Sequence, residues 1–224
     1  MVKTSLIKAT PWDATAFGMP TFELLEYSIA ALQQASQAVG HFTLKVDPLA
    51  DKGLLHEYGF YYCDTLIEPH CDASRLRKAQ CSAAIVSKEV EPELVLAICR
   101  GSFAHDRFHR DFNLPKSAAD IRYVNWLKQL LAAQNVYGLY WQGILAGFIG
   151  YTGNCLVLHA LLGQYRGKGM SKYWWSSVCC ELLAQGHRQV KSSISATNLA
   201  VLNLYASLGF SFNNPQDIYH RVAP

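Results

Sequence analysis

The sequence predicts an α/β (α+β) protein in two parts: a small N-terminal α/β domain over residues 1–80 and a larger domain over residues 81–224. Three observations carry that reading. Apolar residues recur at helical spacing through much of the chain, then switch after Asn135 to short runs parted by glycine-bearing turns. Glycines stand just past several helical stretches, where a left-handed C-cap is wanted. Half of the 224 residues are hydrophobic and 17% are charged, which is enough apolar surface for a sizeable core and too little charge for a disordered chain.

The elements follow in order. Residues 42–46 (FTLKV) form a strand, which Asp47-Pro48 ends. Leu49, Leu54, Leu55 and Tyr58 then recur at helical spacing, Gly59 suits the C-cap, and residues 60–67 read as a second strand. Glu91-Pro92 opens a helix carrying Leu94, Leu96, Ala97 and Ile98, because proline is tolerated in a first turn. A polar and aromatic stretch, residues 103–114 (FAHDRFHRDFNL), leads into an amphipathic helix with Ile121, Val124, Leu127, Leu130 and Leu131 on its stripe.

Residues 136–141, 144–151 and 156–162 are three strands joined by Gln142-Gly143 and Thr152-Gly153-Asn154, an antiparallel meander. A glycine-rich basic segment, residues 163–169, precedes a helix over about 170–185 with Trp174, Val178 and Leu182 on one stripe and Gly186 at its end. Residues 190–195 are a strand. Thr197 and Asn198 cap a last helix whose apolar positions are Val201, Leu204, Tyr205 and Leu208. Gly209 closes it and Phe210 begins a final strand region. The order strand, helix, Gly-Phe, strand thus occurs twice, with Gly59-Phe60 echoed by Gly209-Phe210. Either a diverged duplication or the coincidence of a common unit produces that echo. Pro48, Gly53 and Leu55 stand in the first copy where Asn198, Asn203 and Tyr205 stand in the second.

Charge and cysteine usage exclude several classes. The net charge is +3 and the basic residues are not densely clustered, so no nucleic-acid partner is expected. The seven cysteines are odd in number and show no C-x-x-C spacing, which speaks against a disulfide framework or a zinc knuckle. No apolar run is long enough to cross a bilayer and the first residues lack a signal-peptide core. A cytoplasmic protein without a membrane partner is expected.

The strongest chemical signal is Gln164-Tyr165-Arg166-Gly167-Lys168-Gly169, set between a strand and a helix. Free backbone N–H groups and the positive end of a helix dipole favour a phosphate there. Gly167 and Gly169 let the backbone approach it, and Arg166, Lys168 and Lys172 add charge. The order hairpin, strand, Q-x-x-G-x-G, helix, strand, N-x-x-x-x-x-x-Y-x-x-x-G-F resembles the GNAT acetyltransferase superfamily. Gln164, Gly167 and Gly169 match the first motif; Asn198, Tyr205, Gly209 and Phe210 match the second. The resemblance covers residues 81–222. Val201 departs from it, standing where the family more often has a small residue.

That resemblance implies the GNAT fold, a twisted mixed sheet with two splayed central strands, beside which the small N-terminal domain resembles a truncated half of the same fold and would wall the acceptor side. It implies acetyl-CoA as co-substrate and no metal. The pantetheine arm would lie along the backbone of Ala160, Leu161 and Leu162. The pyrophosphate would sit on the amides of Arg166, Gly167, Lys168, Gly169 and Met170, with Gln164 and Asn198 close by. A narrower likeness, in residues 12–18 (WDATAFG), Gly59-Phe60 and Phe103-Ala104-x-x-Arg107-Phe108, is to bacterial TDP-fucosamine acetyltransferases. It implies the amine of a nucleotide-linked amino-sugar as acceptor.

Individual residues then take roles. Tyr205 is the candidate general acid: a phenol with a pKa of about 10 can protonate a departing thiolate whose thiol titrates near 8.5. Asn198 either caps its helix or touches the cofactor arm. Asp64 and His159 are candidate bases, unless water takes the proton. His105 and His109 are four apart, but no glutamate stands between them and no third ligand is evident, so no metal is expected. His105, Arg107 and Phe108 are the candidate acceptor contacts, Arg107 pairing with an anionic group. Trp174-Trp175 would face the core on one side and an acceptor wall or a homodimer interface on the other. The function expected is acetyl transfer from acetyl-CoA to a small-molecule amine. The alternatives are a non-catalytic acyl-CoA-binding module and a protein-amine acetyltransferase.

Overall fold

The computed structural model describes residues 5–104 and 106–223, so His105, an acceptor candidate, lies outside the described residues. The chain begins with β1 (Ile7–Ala9), α1 (Pro11–Phe17), β2 (Thr21–Leu24), α2 (Ile29–Ser36), β3 (Gly40–Val46), α3 (Gly53–Glu57), β4 (Tyr61–Asp72) and β5 (Ala84–Ser87). There follow α4 (Pro92–Cys99), α5 (Arg107–Arg110), α6 (Lys116–Ala132) and the strands β6 (Val136–Trp141), β7 (Ile144–Thr152) and β8 (Cys155–Leu161). A short 3-10 turn, Gly163–Tyr165, leads to α7 (Ser171–Ala184), β9 (Gln189–Ser192), β10 (Ile194–Ser195), α8 (Leu199–Ser207) and β11 (Ser211–Ala223).

Contacts group these residues into two compact units that interleave along the chain. The first comprises Met1–Leu66, Ala104–Arg122 and Pro215–Pro224; the second comprises Ile67–Phe103 and Tyr123–Asn214.

In the first unit, β1 pairs antiparallel with β2, β2 parallel with β3, and β3 antiparallel with β11 from Asp217↔Val46 to Ala223↔Gly40. Leu32, Phe42, Leu44, Leu55, Phe60 and Tyr219 make its core. Gly40 is required where it stands: its φ is +134°, and a Cβ would meet the Pro20 carbonyl oxygen at 2.3 Å. A second cluster gathers Phe17, Phe108, Leu114 and Ala119.

In the second unit, β6 to β8 form the expected antiparallel meander, and β5 adds a strand the sequence reading did not name, antiparallel to β6. β8 runs parallel to β9, and β9 pairs antiparallel with the end of β4 at His70↔Lys191. Gln142 and Gly143 both take left-handed φ values, 49° and 81°, as a two-residue hairpin turn demands. Trp174, Trp175, Val178, Leu182 and Tyr205 cover one face of this sheet together with Ile149 and Leu161. Val95, Leu127 and Leu130 cover the other, against Phe148, Leu158 and Ala160. Alternate residues of β7 and β8 thus serve two separate cores, as the period of a strand requires.

Three details differ from the sequence reading. Leu49 is not helical and is 94% exposed. The Asp47 carboxylate accepts from the Leu49 amide, and Lys52 Nζ donates to the carbonyls of Asp47, Pro48 and Ala50, which closes a turn before α3 can begin. The strand expected over 190–195 is broken into β9 and β10. Trp174 and Trp175 are both buried, so neither supplies an exposed wall or interface. Trp174 is held inward because its indole N–H donates to the Tyr140 carbonyl at 2.9 Å.

The echo between the two Gly-Phe segments reaches the backbone. The Phe60 amide donates to the Leu55 carbonyl at 2.8 Å, and the Phe210 amide to the Tyr205 carbonyl at 3.1 Å. Both helices leave through a glycine at positive φ, 74° at Gly59 and 89° at Gly209.

Candidate functional site

The site is built on a fork between β8 and β9. Their pairing comprises only Cys155↔Lys191 and Leu156↔Ser192, although β8 continues to Leu161. The Ser192 hydroxyl, itself buried, donates to the Leu156 carbonyl at 2.8 Å on the last rung. One residue later β8 bulges: Gly150 faces Leu158 and Tyr151 faces Leu156, which leaves Val157 without a partner across the ladder to β7. The bulge turns Leu156 and Leu158 to opposite faces of the sheet, where they join different cores.

Beyond the bulge the direction of each peptide follows from the ladder with β7. The Leu162 amide donates to the Ala146 carbonyl, which makes Gly147↔Leu161 a pair without mutual hydrogen bonds. Leu161, and His159 two residues before it, therefore turn their N–H and C=O groups away from β7, toward the side that β9 has left. Of the stretch assigned to the pantetheine arm, Ala160 faces β7 and the Leu162 amide is spent on Ala146, so Leu161 alone turns away from β7. One of its groups is already used: Arg166 Nε donates to the Leu161 carbonyl at 2.7 Å, and the guanidinium also reaches the Ser102 hydroxyl. Arg166 thus braces the fork from its end, and its side chain is committed there.

The glycine-rich loop runs from the end of β8 into α7. Gly167 and Gly169 have φ values of 71° and 68°, and a Cβ on either would meet nothing within 4 Å. Their requirement for glycine is conformational, and the space beside them is open. Met170 stands at the N-cap of α7 without a side-chain cap, and the first turn holds no acidic residue. No side chain caps the first amides of the helix, and the Tyr173 amide donates to the Met170 carbonyl at 3.1 Å. Gln164 and Lys168 are exposed on this loop.

Tyr205 lies on α8, fully buried, with its ring 4.8 Å from Phe210 and 6.4 Å from His159. Its hydroxyl makes no hydrogen bond, and neither does the buried indole N–H of Trp175. Burial pushes the phenol well above its usual value, and the facing Ser192 and Trp175 only partly offset that. His159, half-buried and edge-on to Trp175 at 5.0 Å, is pushed down to about 4 by burial, so it is neutral at pH 7. Two buried donors without partners and one neutral imidazole therefore meet beside the fork. Asn198 is the N-cap of α8, its side chain accepting from the Val201 amide at 3.3 Å.

The remaining candidates lie in the first unit. Asp64 is buried and ion-paired to Arg110 at 2.9 Å, and it also accepts from the Thr65 amide. Phe108 is 1% exposed, so its ring has no surface to offer an acceptor. The cause is local: Asp106 caps α5 by accepting from the Phe108 amide, which turns the ring onto Phe17, with Arg107 and Arg122 stacked over it. His109 is clamped between Asp106 and Asp120 rather than aimed outward.

Sequence reasoning missed one cluster in this unit. Asp111 is buried and accepts from the Tyr61 hydroxyl and the Asn113 amide, with His220 Nδ1 at 2.8 Å and His41 Nε2 at 3.6 Å. Burial would raise its carboxyl, but the His220 hydrogen bond and the neighbouring His41 imidazole outweigh burial and hold it below the usual carboxylate range. His220 is pushed down to about 3 by burial, against the pull of Asp111. No spacing rule links residues so far apart in sequence.

No family model matches the chain, and no curated protein sequence does. Solved structures do match. A GCN5-related N-acetyltransferase from Sphaerobacter thermophilus superposes with a TM-score of 0.68 at 8% identity, covering 97% of this chain and 76% of that one. A GCN5-related N-acetyltransferase from Kribbella flavida gives 0.57 at 9% identity, over 92% and 82% of the two chains. A tandem GNAT protein from the clavulanic acid biosynthesis pathway gives 0.55 at 14% identity, over 91% and 75%. The fold of this chain is therefore the GNAT fold.

Proposed function

We propose that this chain transfers an acetyl group from acetyl-CoA to the primary amine of a small acceptor. The observation that carries this reading is the fork: β8 and β9 part after Leu156↔Ser192, and the β8 backbone that β9 leaves unpaired leads to the uncapped start of α7. An extended amide-bearing arm ending in a pyrophosphate suits both features. The open space at Gly167 and Gly169, and the two unpartnered donors Tyr205 Oη and Trp175 Nε1, fit such a ligand as well.

When bound, acetyl-CoA supplies a thioester carbonyl for an amine to attack and a thiolate to leave. The amides of His159 and Leu161 hold the arm in line, and the amides from Gly167 to Met170 hold its phosphates. Tyr205, kept protonated by burial, donates its proton to the departing sulfur. His159, neutral at pH 7, accepts the amine proton directly or through water; Asp64 is the other candidate for that step. An amino-sugar amine is less basic than that of lysine, so a weak base suffices.

For the acceptor we favour the amine of a nucleotide-linked amino-sugar, with Arg107 meeting its anionic group. The support is the scattered sequence likeness described above. Of the alternatives, a binding-only module is favoured by the complete burial of Tyr205, and opposed by the pairing of an unused phenol with an intact phosphate loop. Thiol release from acetyl-CoA, measured against a panel of amino-sugar nucleotides, polyamines and peptides, decides among them. Tight acetyl-CoA binding without turnover on any acceptor would favour the module. Lysine peptides as best substrates would move the acceptor to proteins, and no acetyl-CoA binding at all would overturn the reading.

A further inference from the structure

His41, Asp111 and His220 come together in the core of the first unit from three distant stretches of chain: β3, the turn after α5, and β11. None of them takes part in the chemistry proposed above. Each is no more than 2% exposed. One donor atom from each lies within 4.8 Å of the other two. His220 Nδ1 is 2.8 Å and His41 Nε2 is 3.6 Å from Asp111 Oδ2. A triangle with sides of 2.8, 3.6 and at most 4.8 Å fits on a circle of radius up to about 2.4 Å, close to zinc's N and O bond lengths of about 2.0–2.2 Å.

We propose that His41, Asp111 and His220 form a buried site for a divalent transition-metal ion of the zinc type. Two imidazole nitrogens and one carboxylate are donors for such an ion, whereas magnesium and calcium take oxygen ligands. His41 Nε2 is buried without a partner, and at 3.6 Å from Asp111 it is too far for a hydrogen bond. An ion between them gives that nitrogen its partner. The carboxylate already has the outer support a ligand needs, since the Tyr61 hydroxyl donates to both of its oxygens and the Asn113 amide to Oδ1.

Two features oppose the ion. The charge of Arg107 acts on His220, and the short contact between His220 and Asp111 must open by a few tenths of an ångström. His220 Nε2 gains no partner either way. The competing description is a closed hydrogen-bond network around Asp111 with no ion. The metal's role is structural: it ties β3, β11 and the segment after α5 to one point, and it leaves the fork untouched.

The test is metal content. Full-length protein is stripped with a chelator, equilibrated with Zn²⁺, desalted and analysed by inductively coupled plasma mass spectrometry. His41→Gln and Asp111→Asn are treated alike, with circular dichroism to confirm folding. The wild type should hold one zinc per chain, the folded variants should lose it, and Co²⁺ in its place should give a visible d–d band. Retention of less than about a tenth of an equivalent by the wild type would overturn the site, since buried zinc sites bind far more tightly than desalting can strip. So would a folded His41→Gln that keeps as much zinc as the wild type. If neither variant folds, the wild-type stoichiometry and the Co²⁺ spectrum still decide.

Discussion

The Ser192 hydroxyl donates to the Leu156 carbonyl at 2.8 Å, at the last rung that joins β8 to β9. A side chain does there what the next backbone rung would otherwise do, and the bulge at Val157 follows at once. The place where the strands part is thus set by two adjacent local features rather than by gradual twist.

Ser192→Ala tests that relationship, because it removes the donor without adding bulk at a buried position. The Leu156 carbonyl would be left buried without this bond, at a cost of about 1–3 kcal/mol. Urea unfolding should show that loss, and calorimetric titration should show weaker acetyl-CoA binding because the fork loses its fixed origin. A variant unchanged in both measurements would mean that the bond does not define the fork.

Gly169→Glu should abolish acetyl-CoA binding while leaving the protein folded. The position is at φ 68° with open space around it, so the main effect of the substitution is negative charge beside the helix amides. Backbone strain of about 1–2 kcal/mol comes with any non-glycine residue at that φ. Gly169→Ala carries the strain without the charge and should bind more weakly than wild type but measurably. Equal affinity in the wild type and a folded Gly169→Glu would remove the phosphate assignment.

Tyr205→Phe should leave acetyl-CoA affinity within a few-fold and lower turnover by about 10²–10⁴, since a general acid acts only as charge develops on sulfur. The ring is fully buried and its hydroxyl has no partner, so little stability is lost with the oxygen. Wild-type turnover in this variant would leave Tyr205 as a packing residue.

The glycine-rich loop, the meander and the last helix were legible because their signals are local: a period of two, glycines at positive φ, the pair Gln142-Gly143, an asparagine N-cap, and Gly209 after the helix. The fork was not, because strand pairing is non-local and no residue type announces that a ladder stops after Ser192. Phe108 read as an acceptor contact from its aromatic, basic surroundings, and only the Asp106 cap explains why it points inward. Arg166 read as a phosphate ligand, yet the Leu161 carbonyl lies within its reach and claims it. The elements before residue 40 are three to eight residues long, too short for periodicity to speak. His41, Asp111 and His220 meet only once β3 and β11 have paired.

The buried histidines should make stability depend on pH in a window that carboxylates do not reach. His220 is pushed down to about 3 and His159 to about 4, both by burial. In the unfolded chain each returns to about 6.5. Between those folded and unfolded values the unfolded state binds more protons, so stability falls as pH drops below about 6.5, by up to about 1.4 kcal/mol per pH unit for each histidine. Above that value neither contributes a slope. His159 is only half-buried, so His220 should dominate. Asp111, held below the usual carboxylate range, adds to the loss in the same direction, but only below about pH 4, where its unfolded form takes up a proton. Urea midpoints measured with a chelator present, so that no ion competes for the imidazoles, should be flat above neutrality and decline from about pH 6.5 to 4.5. His220→Asn removes the larger slope while leaving a side chain that can still donate to Asp111, so its decline should be shallower even if its absolute stability is lower. A variant that loses stability with the wild-type slope across that window would show that His220 is not held neutral by burial.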